Sequence, residues 1–385
     1  MKIIYADNNA TTQVDPLVIE LVTDFLTNKW GNPSSMHTFG GDVEQYVEIA
    51  RQQVADSLRA SSATEIIFTS GGTEGDNTAI RSALLSRKTR KKIVTTRVEH
   101  PAVLNLCKNL EREGYDVRYL AVDNEGNLNL NDLEEAMDDN VALVTIMAAN
   151  NETGVLFPIQ EAGKIAHEHG ALFHTDAVQA MGKVPVDLST GNIDLLSVSG
   201  HKIHAIKGVG ALYIKRGTRF RPFIVGGHQE RGRRGGTENV PGIVAMGLAA
   251  ELGVKNLAEE QTRVKKLRDR LETEILSIIP KCRINGNRKN RLPGTTNISI
   301  KNVEGEALLL MLDQKGICAS SGSACTSGSL EPSHVLRAMG IPFTYAHGSL
   351  RFSLGRFNTD EDVDAIIEAL PKIVDRLREL SPFTD

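Results

Sequence analysis

The sequence predicts an α/β protein in two parts: a large domain with a mostly parallel sheet flanked by helices, and a smaller α+β C-terminal domain. Short apolar runs alternate with helical patterns as far as about Val254, and such alternation is typical of a parallel sheet with helices on both faces. A polar, amphipathic stretch from Leu257 to Ile279 then leads into a different order of elements. The length of 385 residues suits two domains of about 100–200 residues each.

The large domain is assigned to residues 15–255 and the smaller one to residues 256–385 and, as explained below, 1–14. In the smaller domain the pattern predicts a strand near 296–300, a helix near 304–314, a strand near 350–354 and a final helix over 359–380. A further helix is expected to begin near Glu331 and Pro332. No internal repeat is evident.

The first candidate site is the Thr-Ser-Gly-Gly-Thr-Glu segment at 69–74, which follows a predicted strand at 66–68 and precedes a helical pattern at 79–84. Glycines allow a tight turn, a threonine can cap the helix, and the free N–H groups at a helix N-terminus can hold a phosphate. The segment matches neither the P-loop nor the dinucleotide-binding fingerprint. The alternative is an ordinary glycine turn before a capped helix.

A second candidate lies where the apolar run 141–147 leads into Asn150 and Asn151. An asparagine at the carboxyl edge of a sheet can donate a hydrogen bond to a substrate carboxylate or to the phenolic oxygen of a cofactor. The alternative is a turn, because asparagine and glycine are common turn residues.

The most informative pair is Asp176 and Lys202, since each follows a predicted strand, at 171–175 and 194–199. Ligands bind at the carboxyl ends of strands in open α/β sheets, so both side chains are expected to open onto one crevice. A lysine amine forms the Schiff base with pyridoxal phosphate, and an aspartate keeps the pyridine nitrogen protonated so that the ring can accept electrons. The alternative is that His201 and Lys202 form an ordinary junction between strand and loop.

A Ser/Gly-rich loop at 319–329 carries a single thiol, Cys325. Small polar residues cannot build a core, so the loop is expected to be exposed and mobile and its thiol to be available for chemistry. Free cysteines are usually buried small hydrophobic residues, and that interpretation suits Cys107, Cys282 and Cys318 better than Cys325.

Charge and composition argue against several classes of partner. The formal net charge of −4 gives no overall reason to expect nucleic acid or an anionic membrane as a partner. One arginine cluster, at Arg231, Arg233 and Arg234, stands among glycines without interleaved aromatic residues. This pattern favours a flexible active-site or interface loop over an RNA-binding patch, which stays the alternative.

The four cysteines include no Cys-x-x-Cys pair, so a zinc knuckle or disulfide framework is not expected and the cytoplasm is the expected location. No apolar stretch nears the ~18–20 residues of a membrane helix, and the N-terminal residues lack the apolar core of a signal peptide. Two histidine pairs, 201 with 204 and 167 with 169, lack further ligands at metal-binding spacings.

Taken together, the motifs resemble those of the cysteine desulfurases, in the NifS/IscS-like group. The resemblance rests on Ser-Ser-Gly-Ser-Ala-Cys-Thr-Ser-Gly at 320–328 and extends over nearly the whole chain, through Tyr-Ala-Asp-Asn-Asn-Ala-Thr-Thr at 5–12, Arg-Gly-Arg-Arg-Gly-Gly-Thr-Glu-Asn at 231–239 and Leu-Arg-Phe-Ser at 350–353. It implies the fold-type I architecture of the pyridoxal-phosphate-dependent transferases, in which residues 1–14 pack with the smaller domain. One departure is Ile206, where members often have proline.

The resemblance also implies a role for each site residue. Lys202 would bear the cofactor, Asp176 would hold the pyridinium, and Gln179 and Asn151 would lie near the phenolic oxygen. His100 would stack on the ring and help to move protons, and Arg351, with Asn151, would bind the substrate carboxylate. The cofactor phosphate would be held by a further set of residues: Gly72, Thr73, Ser199, His201 and, from the partner subunit of a homodimer, Thr237.

The implied reaction converts L-cysteine to L-alanine and leaves the sulfur as a persulfide on Cys325, for delivery to an iron–sulfur scaffold protein. Whether Cys325 also ligates an iron–sulfur cluster transiently, at a site shared with a scaffold, stays open, and no other metal site is expected. Two alternatives remain: another enzyme on this scaffold, such as a selenocysteine lyase or an aminotransferase, and a non-catalytic binding or scaffold protein that has kept the fold.

Overall fold

The structure, a computed structural model, describes residues 2–321 and 332–380. Its strands are β1 Ile4–Tyr5, β2 Ile66–Thr69, β3 Lys92–Thr96, β4 Asp116–Leu120, β5 Val141–Thr145, β6 Leu172–Asp176, β7 Leu195–Ser199, β8 Gly210–Ile214, β9 Cys282–Asn285, β10 Thr295–Ile300, β11 Ile317–Cys318 and β12 Ser349–Ser353.

The helices before residue 256 are α1 Pro16–Thr27, α2 Thr38–Leu58, α3 Gly72–Ser86, α4 Pro101–Arg112, α5 Leu130–Ala136, α6 Ile159–Glu168 and α7 Val240–Lys255. Those after it are α8 Leu257–Glu259, α9 Lys265–Ile278, α10 Gly305–Asp313, α11 His334–Ala338, α12 Phe343–Ala346 and α13 Asp360–Leu380. A π-helical turn, Glu260–Val264, joins α8 to α9.

The central sheet has seven strands in the order β2-β8-β7-β6-β5-β3-β4. β8 is antiparallel to both of its neighbours, and the other pairs are parallel. Every residue of β5 to β8 is buried, as expected for strands covered by helices on both faces. The predicted fold class, a mostly parallel sheet flanked by helices, is confirmed.

The topology places the ends of three strands that lead into predicted site residues at one edge of this sheet. β5, β6 and β7 are parallel neighbours, so Thr145, Asp176 and Ser199, with which they end, lie at the same edge. The segments that follow these strands therefore open onto a common crevice, which is where ligands bind in open α/β sheets.

A second, smaller sheet lies in the C-terminal part, with β10 between β9 and β12 and all strands antiparallel. β1 pairs in parallel with β11, and Ile4 and Ala6 belong to the same buried apolar cluster as β10, β12 and α13. The N-terminal residues thus contact the C-terminal elements, while the proposed domain limits remain a prediction. The helix expected near 331–332 begins at His334, and Glu331 lies outside the described residues.

The C-terminal core offers a stability test at Phe352. This side chain is fully buried in β12, so Phe352→Ala is expected to lower the free energy of unfolding by about 3–5 kcal/mol through lost burial and a cavity. Phe343→Ala is the matched control, because Phe343 is 65% exposed and its loss should cost less than about 1 kcal/mol. Urea unfolding followed by fluorescence would compare the two, and equal losses would contradict the assignment of Phe352 to the core.

Within residues 2–321 and 332–380, no helix alone has both the length and the apolar character to cross a membrane. By those two criteria only, the bent pair Val240–Lys255 and Leu257–Ile278 would qualify.

Candidate functional site

A cleft of about 300 Å³ opens at the edge where β5, β6 and β7 end. Most of the residues predicted from the sequence to form a site line it: Gly72, Thr73, His100, Asn151, Asp176, Gln179, Ser199, His201, Lys202 and Arg351. Thr237 is exposed and does not line the cleft, and Cys325 lies outside the described residues. The structure therefore brings together ten of the twelve predicted site residues.

Asp176 is the last residue of β6 and is buried at the cleft. Its Oδ1 accepts a hydrogen bond of 2.9 Å from the Val178 amide, which orients the carboxyl group. Burial raises the pKa of Asp176 to about 6, while the nearby positive charge of Lys202 lowers it. At neutral pH the carboxylate form therefore predominates, and it can accept a hydrogen bond from a protonated nitrogen of a ligand.

Lys202 ends the short 3-10 turn that follows β7. Its Nζ donates to the carbonyl oxygens of Asn9 and Ala10, each at 2.7 Å. The N-terminal segment, almost two hundred residues away in sequence, thus supplies the acceptors that hold the amine at the cleft. A lysine placed in this way can react with a ligand carbonyl once the amine is deprotonated.

The N-terminus of α3 lies at the cleft without a side-chain cap, contrary to the threonine cap proposed from the sequence. Gly71, at φ +151°, occupies the N-cap position instead, because the chain takes a conformation there that favours glycine. A Cβ on Gly72 would approach Val178 Cγ2 to 2.7 Å, so only glycine lets the backbone pack this closely against Val178. The open N–H groups can receive an anion.

His100 caps α4, and its Nδ1 accepts a hydrogen bond of 3.1 Å from the Ala102 amide. Burial, with a further contribution from the charge of Lys202, lowers the pKa of His100 to about 4. The ring is therefore neutral at pH 7, and because Nδ1 accepts, the ring proton is on Nε2. The sequence motif could not have specified this tautomer.

Arg351, in β12, is buried against the cleft and held on two sides. Nη1 donates to the Asn151 carbonyl at 3.0 Å and Nη2 to Asp7 Oδ1 at 2.7 Å. Its Nε is buried and has no hydrogen-bond partner within the described part of the chain. The guanidinium plane is thus positioned at the site and retains donor capacity for a carboxylate.

Several residues of the site were not assigned a role from the sequence. Asn9 and Asp7, which contact Lys202 and Arg351, belong to the N-terminal motif at 5–12, so the motif itself was the available signal. Glu152 directly follows Asn151 and Lys183 lies four residues after Gln179, so their position beside predicted site residues was the available signal.

Three buried carboxyl groups near the cleft bind protons more tightly than usual. Burial raises the pKa of Glu99 to about 8 and that of Glu152 to about 7. Burial, together with the charge of Asp176, also raises the pKa of Asp76 well above its usual range. Glu99 accepts from Thr96 Oγ1 at 2.7 Å, and Glu152 accepts from the hydroxyl of Ser333. Proton-bearing carboxyl groups of this kind cost less to bury than carboxylates.

The described cysteines are poor nucleophiles. Cys107 is fully buried, and burial raises its thiol pKa to about 12. Cys282 and Cys318 are half-buried, and burial raises the pKa of each thiol as well. At neutral pH all three therefore carry little thiolate, the form that attacks electrophiles.

The three arginines of the predicted loop make hydrogen bonds within the chain. Arg234 donates to both carboxylate oxygens of Glu74, in the first turn of α3, at 2.9 and 3.2 Å. Arg231 and Arg233 donate to backbone carbonyls of residues 64 and 66. In the described ranges, 2–321 and 332–380, no group of three or more metal-binding side chains occurs.

Comparison with known sequences identifies relatives along the whole chain. The family described as aminotransferase class-V matches residues 4–366. A cysteine desulfurase of Nostoc sp. is 61% identical over 383 residues, which cover 100% of this chain and 96% of the relative. Cysteine desulfurase NifS of Azotobacter vinelandii is 54% identical over 380 residues, which cover 99% of this chain and 94% of that one.

Solved structures agree with this result. A NifS-like protein has a TM-score of 0.92 at 39% identity, over 98% of this chain and 100% of that chain. A structure described as SspA in complex with cysteine has a TM-score of 0.81 at 34% identity, over 92% of this chain and 99% of that chain.

Proposed function

Since the chain belongs to the aminotransferase class-V family and, within it, to the NifS-like cysteine desulfurases, we propose that it converts L-cysteine to L-alanine and keeps the sulfur as a persulfide on Cys325. The observation that carries the proposal is a single cleft that contains Lys202, Asp176 and Arg351. These side chains are suited to a cofactor carbonyl, a protonated ring nitrogen and a substrate carboxylate, respectively.

The cofactor proposed for this cleft is pyridoxal 5'-phosphate, and the residues present fit it. Lys202 would bind it covalently, Asp176 would pair with its ring nitrogen, and Gln179 with Asn151 would face its phenolic oxygen. The phosphate would be held by residues at the open end of α3 and after β7: Gly72, Thr73, Ser199 and His201. When bound, the cofactor supplies an electron-withdrawing ring that stabilises negative charge on the substrate carbon.

The space at the end of α3 supports the phosphate assignment. Gly72 leaves no room for a side chain, because a Cβ would lie 2.7 Å from Val178 Cγ2. The N-terminus of α3 also has no side-chain cap, so its first N–H groups can donate to phosphate oxygens, and the helix dipole favours negative charge there.

Substrate binding is assigned to Arg351, with Asn151 beside it. Asp7 and the Asn151 carbonyl fix the guanidinium group, so that little side-chain freedom is lost when a carboxylate is bound. Lys202, once deprotonated, would take the proton from the substrate Cα. His100, neutral with its proton on Nε2, would stack on the cofactor ring and pass protons to substrate or product atoms.

Sulfur transfer is assigned to Cys325. Its thiolate sulfur forms an S–S bond with the substrate sulfur while the Cβ–S bond breaks, and that bond's electron pair goes to Cβ, which takes up a proton to become the methyl group of alanine. The other cysteines in the described part of the chain do not line the cleft, and burial raises their thiol pKa values, which disfavours the thiolate.

Further parts of the proposal concern partners and location. A homodimer is proposed, in which Thr237 of the partner subunit completes the phosphate site; the exposure of Thr237 in one chain is consistent with this role. An iron–sulfur scaffold protein is the proposed acceptor of the sulfur, with Cys325 as a transient cluster ligand at the shared site. The proposed location is the cytoplasm.

The proposed function is tested by adding L-cysteine to the purified protein loaded with pyridoxal phosphate. Equal amounts of L-alanine and protein-bound sulfane sulfur are expected in a single turnover without a reductant. Keto-acid formation with transfer of the amine would instead indicate transamination. A protein that cannot bind pyridoxal phosphate would contradict the proposal as a whole.

The carboxylate role of Arg351 leads to a kinetic prediction. Arg351→Lys is expected to raise the KM for L-cysteine about 10–100-fold, because lysine cannot donate two parallel hydrogen bonds and the lost charged bond is worth about 1.5–3 kcal/mol. Arg283→Lys is the control, since Arg283 lies in β9, on the far side of β10 in the same sheet, and does not line the cleft. Initial rates over a range of L-cysteine concentrations measure both variants, and an unchanged KM in Arg351→Lys would argue against this role.

A further inference from the structure

A half-buried lysine, Lys183, lies behind the cleft and connects two of the amides that line it. Its Nζ donates to Gln179 Oε1 at 2.8 Å and to Asn9 Oδ1 at 3.1 Å. Gln179 Nε2 donates in turn to the Asn9 carbonyl at 2.9 Å, and Lys202 Nζ donates to the same carbonyl at 2.7 Å. Lys183 is therefore linked to Lys202 through one residue, although Lys183 does not line the cleft itself.

The lysine determines which end of the Gln179 amide can face a ligand. An ammonium group has three donors and no acceptor, so the Gln179 atom beside it has to be the oxygen. The NH₂ group then lies on the other side, where one N–H is used by the Asn9 carbonyl and the second is available to an acceptor in the cleft. Oxygen and nitrogen of an amide are otherwise nearly interchangeable in shape.

Lys183 orients Asn9 in the same way. Asn9 Oδ1 faces the ammonium, and Asn9 Nδ2 donates to Thr295 Oγ1 at 2.9 Å and to the Asn151 carbonyl at 3.1 Å. The Asn9 backbone, which holds both Gln179 and Lys202, is thereby fixed at the wall of the cleft. One ammonium group thus orients the side-chain amides of Gln179 and Asn9 and, through Asn9, the backbone carbonyl to which Gln179 and Lys202 donate.

The surrounding charges favour an anionic ligand in front of this network. The pKa of Lys183 is lowered to about 7, mainly by burial and also by the positive charges of Lys202 and Arg351, against the opposing charge of Glu260. Asp176 lies at the cleft with the opposite sign, and the positive charge of Lys202 lowers its pKa. A negative oxygen bound beside Gln179 would offset the repulsion among the three cations and so favour the ammonium form of Lys183.

We propose that Lys183 is a positioning residue: by holding Gln179 Oε1 it turns the Gln179 N–H toward the phenolic oxygen of pyridoxal phosphate and stabilises the anionic form of that oxygen. This inference rests on the proposed function, because the acceptor belongs to the proposed cofactor. Lys183 does not touch the reacting atoms and acts through Gln179 and Asn9.

The test is a pH titration of the visible absorption of the cofactor-loaded protein. Lys183→Met is expected to raise the midpoint of the absorption change by about one pH unit, since the anionic oxygen loses an oriented donor. The dissociation constant of pyridoxal phosphate is expected to rise about tenfold in the same variant. In a Gln179→Leu background, Lys183→Met should cause no further shift, because the donor through which it acts is already absent.

Two further variants distinguish the positioning role of Lys183 from a general effect of positive charge and from unfolding of the variant. Lys207→Met removes an exposed positive charge that lowers the pKa of His201 but makes no described bond to Gln179, so it should shift the midpoint by less than about 0.3 units. Lys183→Arg keeps the donors and should titrate like the wild type even if Lys183→Met does not fold.

The proposal is overturned if Lys183→Met titrates like the wild type, or if it shifts the midpoint as much in the Gln179→Leu background as in the wild-type background. A shift of about one pH unit in Lys183→Arg would also overturn it. These results would leave the proposed function intact, since the wild type would still bind the cofactor and release alanine. A wild-type protein that binds no pyridoxal phosphate would overturn both proposals together.

Discussion

Lys202→Ala is expected to lower the rate of alanine formation from L-cysteine by at least about a thousandfold, because the amine is proposed both to attach the cofactor and to move the proton at Cα, and a general base alone contributes about 10²–10⁴-fold. The structure places this amine at the cleft, where it is held by the carbonyls of Asn9 and Ala10. Borohydride reduction followed by peptide mass spectrometry should find the cofactor on Lys202 in the wild type and on no peptide in the variant.

Lys207→Ala is the matched control for this experiment. Lys207 is exposed and lies five positions after Lys202, outside the set of residues that line the cleft. Its loss should leave cofactor attachment complete and turnover within about twofold of the wild type. Attachment of the cofactor to another lysine in Lys202→Ala, with turnover retained, would show that the assignment is wrong.

Cys325→Ser is expected to abolish protein-bound sulfane sulfur and to reduce alanine formation by at least about a thousandfold, while cofactor loading stays unchanged. A serine hydroxyl is barely ionised at neutral pH and cannot form the S–S bond that the step requires. This prediction rests on the sequence motif alone, since Cys325 lies outside the described residues. Cyanolysis of the protein after a single turnover, with alanine measured in parallel, provides the readout.

The control for the thiol is Cys282→Ser. Cys282 is half-buried, and its thiol donates to the Ile279 carbonyl at 3.0 Å, a bond that a serine hydroxyl can replace. Turnover and bound sulfur are expected within about twofold of the wild type. If Cys325→Ser still accumulated sulfur while Cys282→Ser did not, the nucleophile would have been assigned to the wrong cysteine.

The elements of the central sheet could be predicted because their signal is local. Continuous apolar runs of strand length identified β2, β5, β6 and β7 within one or two residues of their observed bounds. The end of α3 differs from expectation for a local reason as well, since Gly71 replaces the predicted threonine cap. The strand order and the antiparallel β8 depend on pairings distant in sequence, which periodicity does not report.

The sequence by itself determined which chemistry is available: a lysine and an aspartate after adjacent strands, a glycine turn before a helix, and a single thiol in a polar loop. Residue types and strand ends are sufficient for that inference, because chemistry and backbone geometry are properties of short segments. Only the tertiary structure decided how these groups are held and charged. The Asp7–Arg351 ion pair joins residues 344 positions apart in the sequence, and the hydrogen bond from Lys183 to Asn9 joins residues 174 positions apart. Burial raises the pKa values of Glu99 and Asp176. Contacts of this range and the loss of solvent arise only when the chain is packed.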